Sequence, residues 1–288
     1  MNKVLGFSVK SLTLLWLLGG ILSVFLLVGC TTTTTTTKKT TTTNSTNSKA
    51  QNKGPKAGVD KEKALKNRLQ LAVGYMGKGD HERARVHLNK AMELNSRSPE
   101  VHDVWALLYQ KERELEEAES HYKKALSYDP TFTRGRNNYG LFLLRLNRVE
   151  EAHQQFVTAS QDLGYPKRAE LFYRVGITSL KLNKDKEAEE AFTKAAVLNS
   201  QMFVTYLELA DIAYERGDYA RAKLLLNKYN SIKSSTHPRG LWLGVRLEHR
   251  LGNEDAEASQ GMALRNLFPD SRENKEYQSW LKNERKNQ

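Results

Sequence analysis

An all-α solenoid of about six stacked helix-turn-helix repeats, closed by a C-terminal capping helix, is the fold class this 288-residue chain predicts. Three observations lead there. Alanines recur at Ala84, Ala118, Ala152, Ala188, Ala222 and Ala256, at spacings of 34, 34, 36, 34 and 34 residues. A second small position keeps the same step, reading Ala72, Ala106, Gly140, Gly176, Ala210 and Gly244, and a large residue precedes each one: Leu71, Trp105, Tyr139, Val175, Leu209 and Leu243. Finally, each recurring alanine is followed four residues later by Leu88, Tyr122, Phe156, Phe192 or Leu226 and seven later by Ala91, Ala125, Ala159 or Ala195. Offsets of four and seven draw one apolar stripe down a helix.

This is the tetratricopeptide period, in which small residues stand where paired helices approach and large ones fill the space between them. The array is expected over residues 62–270, with repeats near 65–98, 99–132, 133–166, 169–202, 203–236 and 237–270. Turns written Gly79-Asp80, Asn147-Arg148, Asn183-Lys184, Gly217-Asp218 and Gly252-Asn253 separate the two helices of a repeat, using residues that accept turn geometry. The third repeat needs two extra residues through Asp162-Leu163-Gly164-Tyr165-Pro166, so the stacking angle is expected to change there. In the sixth, Gln260 replaces the large apolar residue and Gly261 follows, which predicts a less firmly packed second helix. Residues 271–288 form the expected capping helix. Asp270 and Glu273 are spaced as an N-cap and its reciprocal partner, and Tyr277, Trp280 and Leu281 cover the end of the stack.

A different kind of sequence precedes the array. Lys3 and Lys10 lead into a nearly continuous apolar stretch from Leu12 to Val28 that ends at Gly29-Cys30, the layout of a secretory signal peptide over residues 1–29. Leu27-Val28-Gly29-Cys30 resembles a bacterial lipobox, with Cys30 the lipidated first residue of the mature chain. The stretch is also close to the length that spans a bilayer. Cleavage is favoured because Cys30 is the chain's one cysteine and stands at the apolar boundary. Buried acyl chains contribute about 0.8 kcal/mol per methylene, and two or more chains hold stably. Thr31, where a retention signal would place Asp, looks like an outer-membrane address, with the domain facing the periplasm. Residues 30–61 then read as a lipidated cysteine and a threonine-rich tether with too few apolar residues to build a core. Its reach is about 30 Å by flexible-chain scaling.

The formal net charge is +12, but lysines and arginines alternate with glutamates along every repeat, as in Lys111-Glu112-Arg113-Glu114, which is the pattern of a solvated helical surface. A nucleic-acid partner would call for basic residues concentrated among stacking aromatics, so none is expected. The seven histidines never fall into a His-Glu-x-x-His arrangement, and His87 and His121 share one repeat position. Neither a phosphate loop nor a Gly-x-Ser-x-Gly elbow occurs. The chain is therefore expected to have no catalytic residues, no metal ligands, no cofactor and no small-molecule substrate.

In a superhelix of this type the first helices line the concave side. The second, fifth, ninth and twelfth repeat positions of units two to five supply the expected protein-binding groove: Leu107, Arg134, Asn137, Leu141, Leu144, Tyr173, Ile177, Leu180, Leu207 and Tyr214, with Glu100, Asp103, Gln110, Glu170, Val204 and Asp211 among them. Its floor is expected to be apolar, with Asn137 and Tyr173 available to hold a peptide backbone.

A lipobox, a tether and six such repeats with a cap together resemble the type IV pilus biogenesis and stability lipoproteins, the PilF/PilW family or secretin pilotins. The likeness is strongest at Asn137-Asn138-Tyr139-Gly140-Leu141-Phe142-Leu143 and at Phe268-Pro269-Asp270-Ser271 with Glu276-Tyr277-Gln278. Extra residues between that serine and Glu276, and the threonine-rich tether, depart from the family pattern. The resemblance implies an adaptor held in the outer membrane by lipidated Cys30. It would bind the pilus secretin subunit and promote its localisation and multimer assembly, and hence twitching motility. An alternative joins the same anchor and repeats in a scaffold for cell-wall hydrolases or outer-membrane protein assembly.

Overall fold

The computed structural model describes residues 57–233 and 235–287, all helices and short turns. Six hairpins follow one another: α1 (Ala57–Gly77) with α2 (His81–Leu94), α3 (Pro99–Glu112) with α4 (Leu115–Tyr128), α5 (Thr133–Arg145) with α6 (Val149–Ser160), α7 (Arg168–Lys181) with α8 (Asp185–Leu198), α9 (Phe203–Glu215) with α10 (Tyr219–Ile232), and α11 (Pro238–Leu251) with α12 (Glu254–Leu267). A last helix, α13 (Arg272–Asn287), follows. The expected signal peptide, Cys30 and the threonine run lie outside the described residues. Among those described, no helix is long and apolar enough to cross a membrane. Helix α1 starts at Ala57, so the final residues assigned to the tether, 57–61, are helical.

The two periodic small positions do what their size demands. Ala84, Ala118, Ala152, Ala188 and Ala222 are fully buried, and a methyl placed on Gly140 or Gly176 would sit 2.6 or 2.5 Å from the ring of Phe156 or Phe192. Each ring fills the space that the missing side chain leaves on the partner helix. Ala256 and Gln260 of the sixth unit are only half-buried, and α12 buries just Gly261 and Leu264. That looser packing follows from a polar residue at an apolar position.

Turn geometry is repeated in all six hairpins. Gly79, Asn147, Asn183, Gly217 and Gly252 have φ between 56° and 78°, and Arg113 does the same work at 66°. Arginine carries no side-chain preference for this left-handed conformation, so its residue type does not announce the turn. Asp80, Ser98 and Asp218 cap the helices that follow by accepting backbone N–H bonds.

The closing helix is the first helix of a truncated seventh unit. Tyr277 lies 34 residues after Leu243, is buried, and packs with Leu241, Val245 and Leu264. The next position, alanine or glycine in every complete unit, is Gln278, so α13 has no surface shaped for a second helix. Its N-cap is Ser271, whose hydroxyl accepts from the backbone N–H of Asn274 at 3.1 Å, and not Asp270.

Charge sets the match between neighbouring units. At each of the five junctions, the residue after the recurring alanine meets an ionisable side chain of opposite type in the next unit: Arg85 with Glu112, Glu119 with Arg148, His153 with Glu187, Glu189 with Arg216 and Arg221, and Lys223 with Glu248. Hydrogen bonds from Arg148 hold the Glu119 carboxyl down at about 2.

The second unit also buries a histidine pair. The Nδ1 atoms of His102 and His121 lie 3.1 Å apart, among the rings of Trp105, Tyr109 and Tyr128. Burial, with the neighbouring His102 and Lys124, lowers His121 to about 4, and burial lowers His102 as well. The unfolded chain binds a proton near its ordinary pKa of about 6.5, whereas folded His121 does so only near 4. Between those values the unfolded state holds more protons, so stability is full above about pH 6.5 and falls as the pH drops toward 4. Thermal unfolding should shift downward between about pH 7 and pH 4.5, and His121→Phe should flatten that dependence. An unchanged slope in the variant would assign the acid sensitivity elsewhere.

Candidate protein-binding groove

The first helices form a row. Helix α3 lies against α1 and α5, and α11 against α9 and α13, whereas α7 approaches both α5 and α9 less closely and packs instead on α6 and α8. The two-residue insert immediately precedes α7. Its Tyr165 packs against the central cluster, and its hydroxyl feels Glu170 and Arg174 of α7 together with Arg134 of α5. The row is therefore spread at its middle.

Leu141 and Leu144 of α5 rest on the central cluster, and Ile177 and Leu180 of α7 on the cluster of Phe192, Leu209 and Ile212; each is half-buried, with one flank on the core and the other accessible. Leu107 on α3 extends this strip and touches both the first and the central clusters. The Asn137 side-chain oxygen is buried and without a hydrogen-bond partner, so it does not face the open groove. Tyr173 leans on Phe192 with ring centroids 5.6 Å apart, and burial together with nearby Glu208 raises its phenol to about 12.

Two further expected groove positions turn out otherwise. Leu207 is 5% exposed and sits inside the cluster of Ala210, Leu226 and Leu243, so it offers no contact surface. Asp103 is also buried: Asn138 Nδ2 donates to it at 2.9 Å and Arg134 Nε at 3.2 Å, tying α3 to α5. Desolvation raises its pKa against the pull of those donors. Arg134 and Tyr214 stay on the groove as ion-pair and cation–π partners, Arg134 with Asp103 and Tyr214 beneath Arg246 at 4.7 Å.

The expected apolar floor thus does not run the full length of the groove. Toward α11 the surface becomes ionic, with Arg239 bonding both oxygens of Glu208 and also Asp211, and Arg246 joining Asp211 to Glu215. At the opposite end lies a cleft of about 680 Å³ between α1 and α3, lined by Leu65, Leu69, Val73 and Val104 with Glu100 and Arg134 on its rim. Lys66, Leu69 and Val73 are the first-unit members of the same groove positions. Extending the period to unit one would have found this cleft; the reading over units two to five stopped short of it. Among the described residues no group of three or more His, Cys, Asp or Glu side chains is placed to hold a metal ion.

The tetratricopeptide-repeat family profile matches residues 99–132, and a second such profile matches 121–154. The type IV pilus assembly protein PilF of Pseudomonas aeruginosa is 37% identical over 211 residues, which is 73% of this chain and 83% of PilF. A solved structure of Pseudomonas aeruginosa PilF superposes with a TM-score of 0.69 at 36% identity, over 76% of this chain and 99% of the solved chain. A crystal structure of PilW, described as a widely conserved type IV pilus biogenesis factor, gives 0.62 at 28% identity over 74% and 97%. In its repeats, its helical stack and its sequence, this chain belongs to the PilF/PilW family of type IV pilus biogenesis tetratricopeptide proteins.

Proposed function

We propose that this protein is a lipid-anchored outer-membrane adaptor. It binds the type IV pilus secretin subunit and promotes its arrival at the outer membrane and its assembly into multimers. The likeness to PilF over 83% of that protein carries the reading. The half-buried strip of Leu107, Leu141, Leu144, Ile177 and Leu180 supports it as the gripping surface, since apolar area withdrawn from water contributes about 25 cal/mol per Å² before association costs.

The anchor works through concentration. With Cys30 acylated and the tether short, the array searches a thin layer beside the membrane, so secretin subunits held there meet one another far more often than in free solution. Binding and co-localisation are the whole mechanism, and no bond is made or broken.

Cys30→Ser tests both halves. The variant is expected to leave the outer-membrane fraction while its purified form still captures the secretin, and secretin multimers should fall toward the level of a deletion strain. Membrane retention of the variant would refute lipidation at Cys30. Failure of the wild-type protein to copurify the secretin from solubilised outer membranes would refute the partner.

A further inference from the structure

The α1–α2 end of the array is built like an internal junction. In unit two, Trp105, Tyr109 and His121 cluster with ring centroids 5.3 to 5.9 Å apart. Helix α2 closes over them with Arg85, whose guanidinium lies 5.9 Å from the Trp105 ring and 5.3 Å from that of Tyr109. One period earlier, the same positions are Leu71, Tyr75 and His87. Tyr75 stacks on His87 at 5.4 Å, and Arg68 Nη1 lies 3.4 Å from His87 Nδ1, so the three face one way. Among the described residues no helix covers them. Leu71 is 45% exposed and Val86, beside His87, is 50% exposed.

Charge identifies the missing cover. At three of the five internal junctions, the residue that answers the covering helix stands at the position of Lys78, as Glu112 and Arg216 do, or of Arg83, as Glu187 and Arg221 do; at the other two it is Arg148, at the position of Asp80, and Glu248, at that of Met76. Here those positions read Met76, Lys78, Asp80 and Arg83; Arg83 is held by Asp80 at 3.3 Å and lies 5.6 Å from the Tyr75 ring, while Lys78, Arg68 and Lys90 leave the face with a net basic charge. The complementary group is a carboxylate. The chain's own leading segment does not supply it, because the 59 residues before Asp60 contain seven lysines and no acid. A second copy fits poorly too. Its matching face repeats the same basic charge, and at its far end α13 carries Arg272, Lys275, Lys282, Arg285 and Lys286 against three glutamates. Recessed rings between two helices form a cleft of the kind that receives a helix everywhere else in this stack, and a flat lipid surface would leave them unfilled.

We infer that the α1–α2 face is a second docking surface, separate from the groove, that takes an acidic amphipathic helix of another protein. That helix stacks as an additional second helix, with its apolar stripe on Leu71, Tyr75 and Val86 and a carboxylate at Lys78 and Arg83.

The test uses the full-length protein in detergent and a stapled peptide with the sequence of α4 (Leu115–Tyr128), which carries Glu116, Glu117 and Glu119. Stapling removes the helix-nucleation cost of so short a segment. Saturable binding that weakens with salt is expected, with about a tenfold or greater loss in a Leu71→Glu, Val86→Glu protein and no loss in a Leu141→Glu, Ile177→Glu protein. Both substituted end-face residues are exposed, so circular dichroism should remain helical. Several results would overturn the inference: no binding, equal binding of a peptide with lysine at the three glutamate positions, or a loss confined to the groove variant. So would phosphatidylglycerol-vesicle binding or self-association as the one property that Leu71→Glu, Val86→Glu removes. The secretin reading stands or falls separately, on copurification through the groove.

Discussion

Phe156→Ala is expected to lower the unfolding free energy by about 3–5 kcal/mol, more than other single truncations in the array. The ring is fully buried at the centre of the largest cluster, and Gly140 on the facing helix has given up its own side chain to admit it. Truncation therefore leaves a cavity lined by a glycine, with no neighbouring side chain able to swing in. The location raises the consequence further. A repeat array is stabilised by each unit and by its interfaces with adjacent units, so weakening the third unit uncouples those before it from those after it. Urea denaturation followed by circular dichroism should show a lower first midpoint and a broadened or two-step transition. Gly140→Leu should act in the same direction by overpacking. A loss below about 1 kcal/mol for Phe156→Ala would mean that α5 and α6 close the gap by sliding together, which the fit between Gly140 and Phe156 argues against.

The second large effect concerns binding. Leu141→Glu combined with Ile177→Glu places one charge on α5 and one on α7, along the half-buried apolar strip, where a partner would have to desolvate them. A few central residues dominate an interface, each worth about 2 kcal/mol or more, so losing one such contact should lower affinity for the secretin about thirtyfold. Each residue keeps one flank open to solvent, so the carboxylates can reach water and the helical signal should persist with a modest drop in stability. Pull-down with the solubilised secretin, read beside the variant's circular dichroism, separates lost contact from lost fold. Binding unchanged in a folded variant would move the interface off this face. Arg134→Ala is a milder control, because its guanidinium is already engaged by Asp103 and Phe132.

Much of this was legible before any coordinates. Ala118 or Gly140 announces itself because the closest approach of two helices tolerates nothing larger, and repetition at 34 residues converts a local constraint into a register for the whole stack. Signals failed where the cause lay in a neighbour. Leu71 shares its repeat position with Trp105 and Tyr139, yet it is exposed because no described hairpin precedes it. Leu207 shares the fifth position with Asn137 and Tyr173, yet the local stacking at α9 turns it into the core. Asp103 reads as a groove carboxylate until Arg134 and Asn138, one repeat later, close over it.

By itself, then, the sequence determined the all-α repeat architecture, the helix register and the segment that ends the stack, since these follow from size and period within each unit. Tertiary structure decided which groove positions stay open, where the row of first helices spreads, and that the ionisable residue after each of the first five alanines addresses the next unit. Accessibility and ion pairing belong to pairs of surfaces, and a surface is defined only once its neighbour is in place.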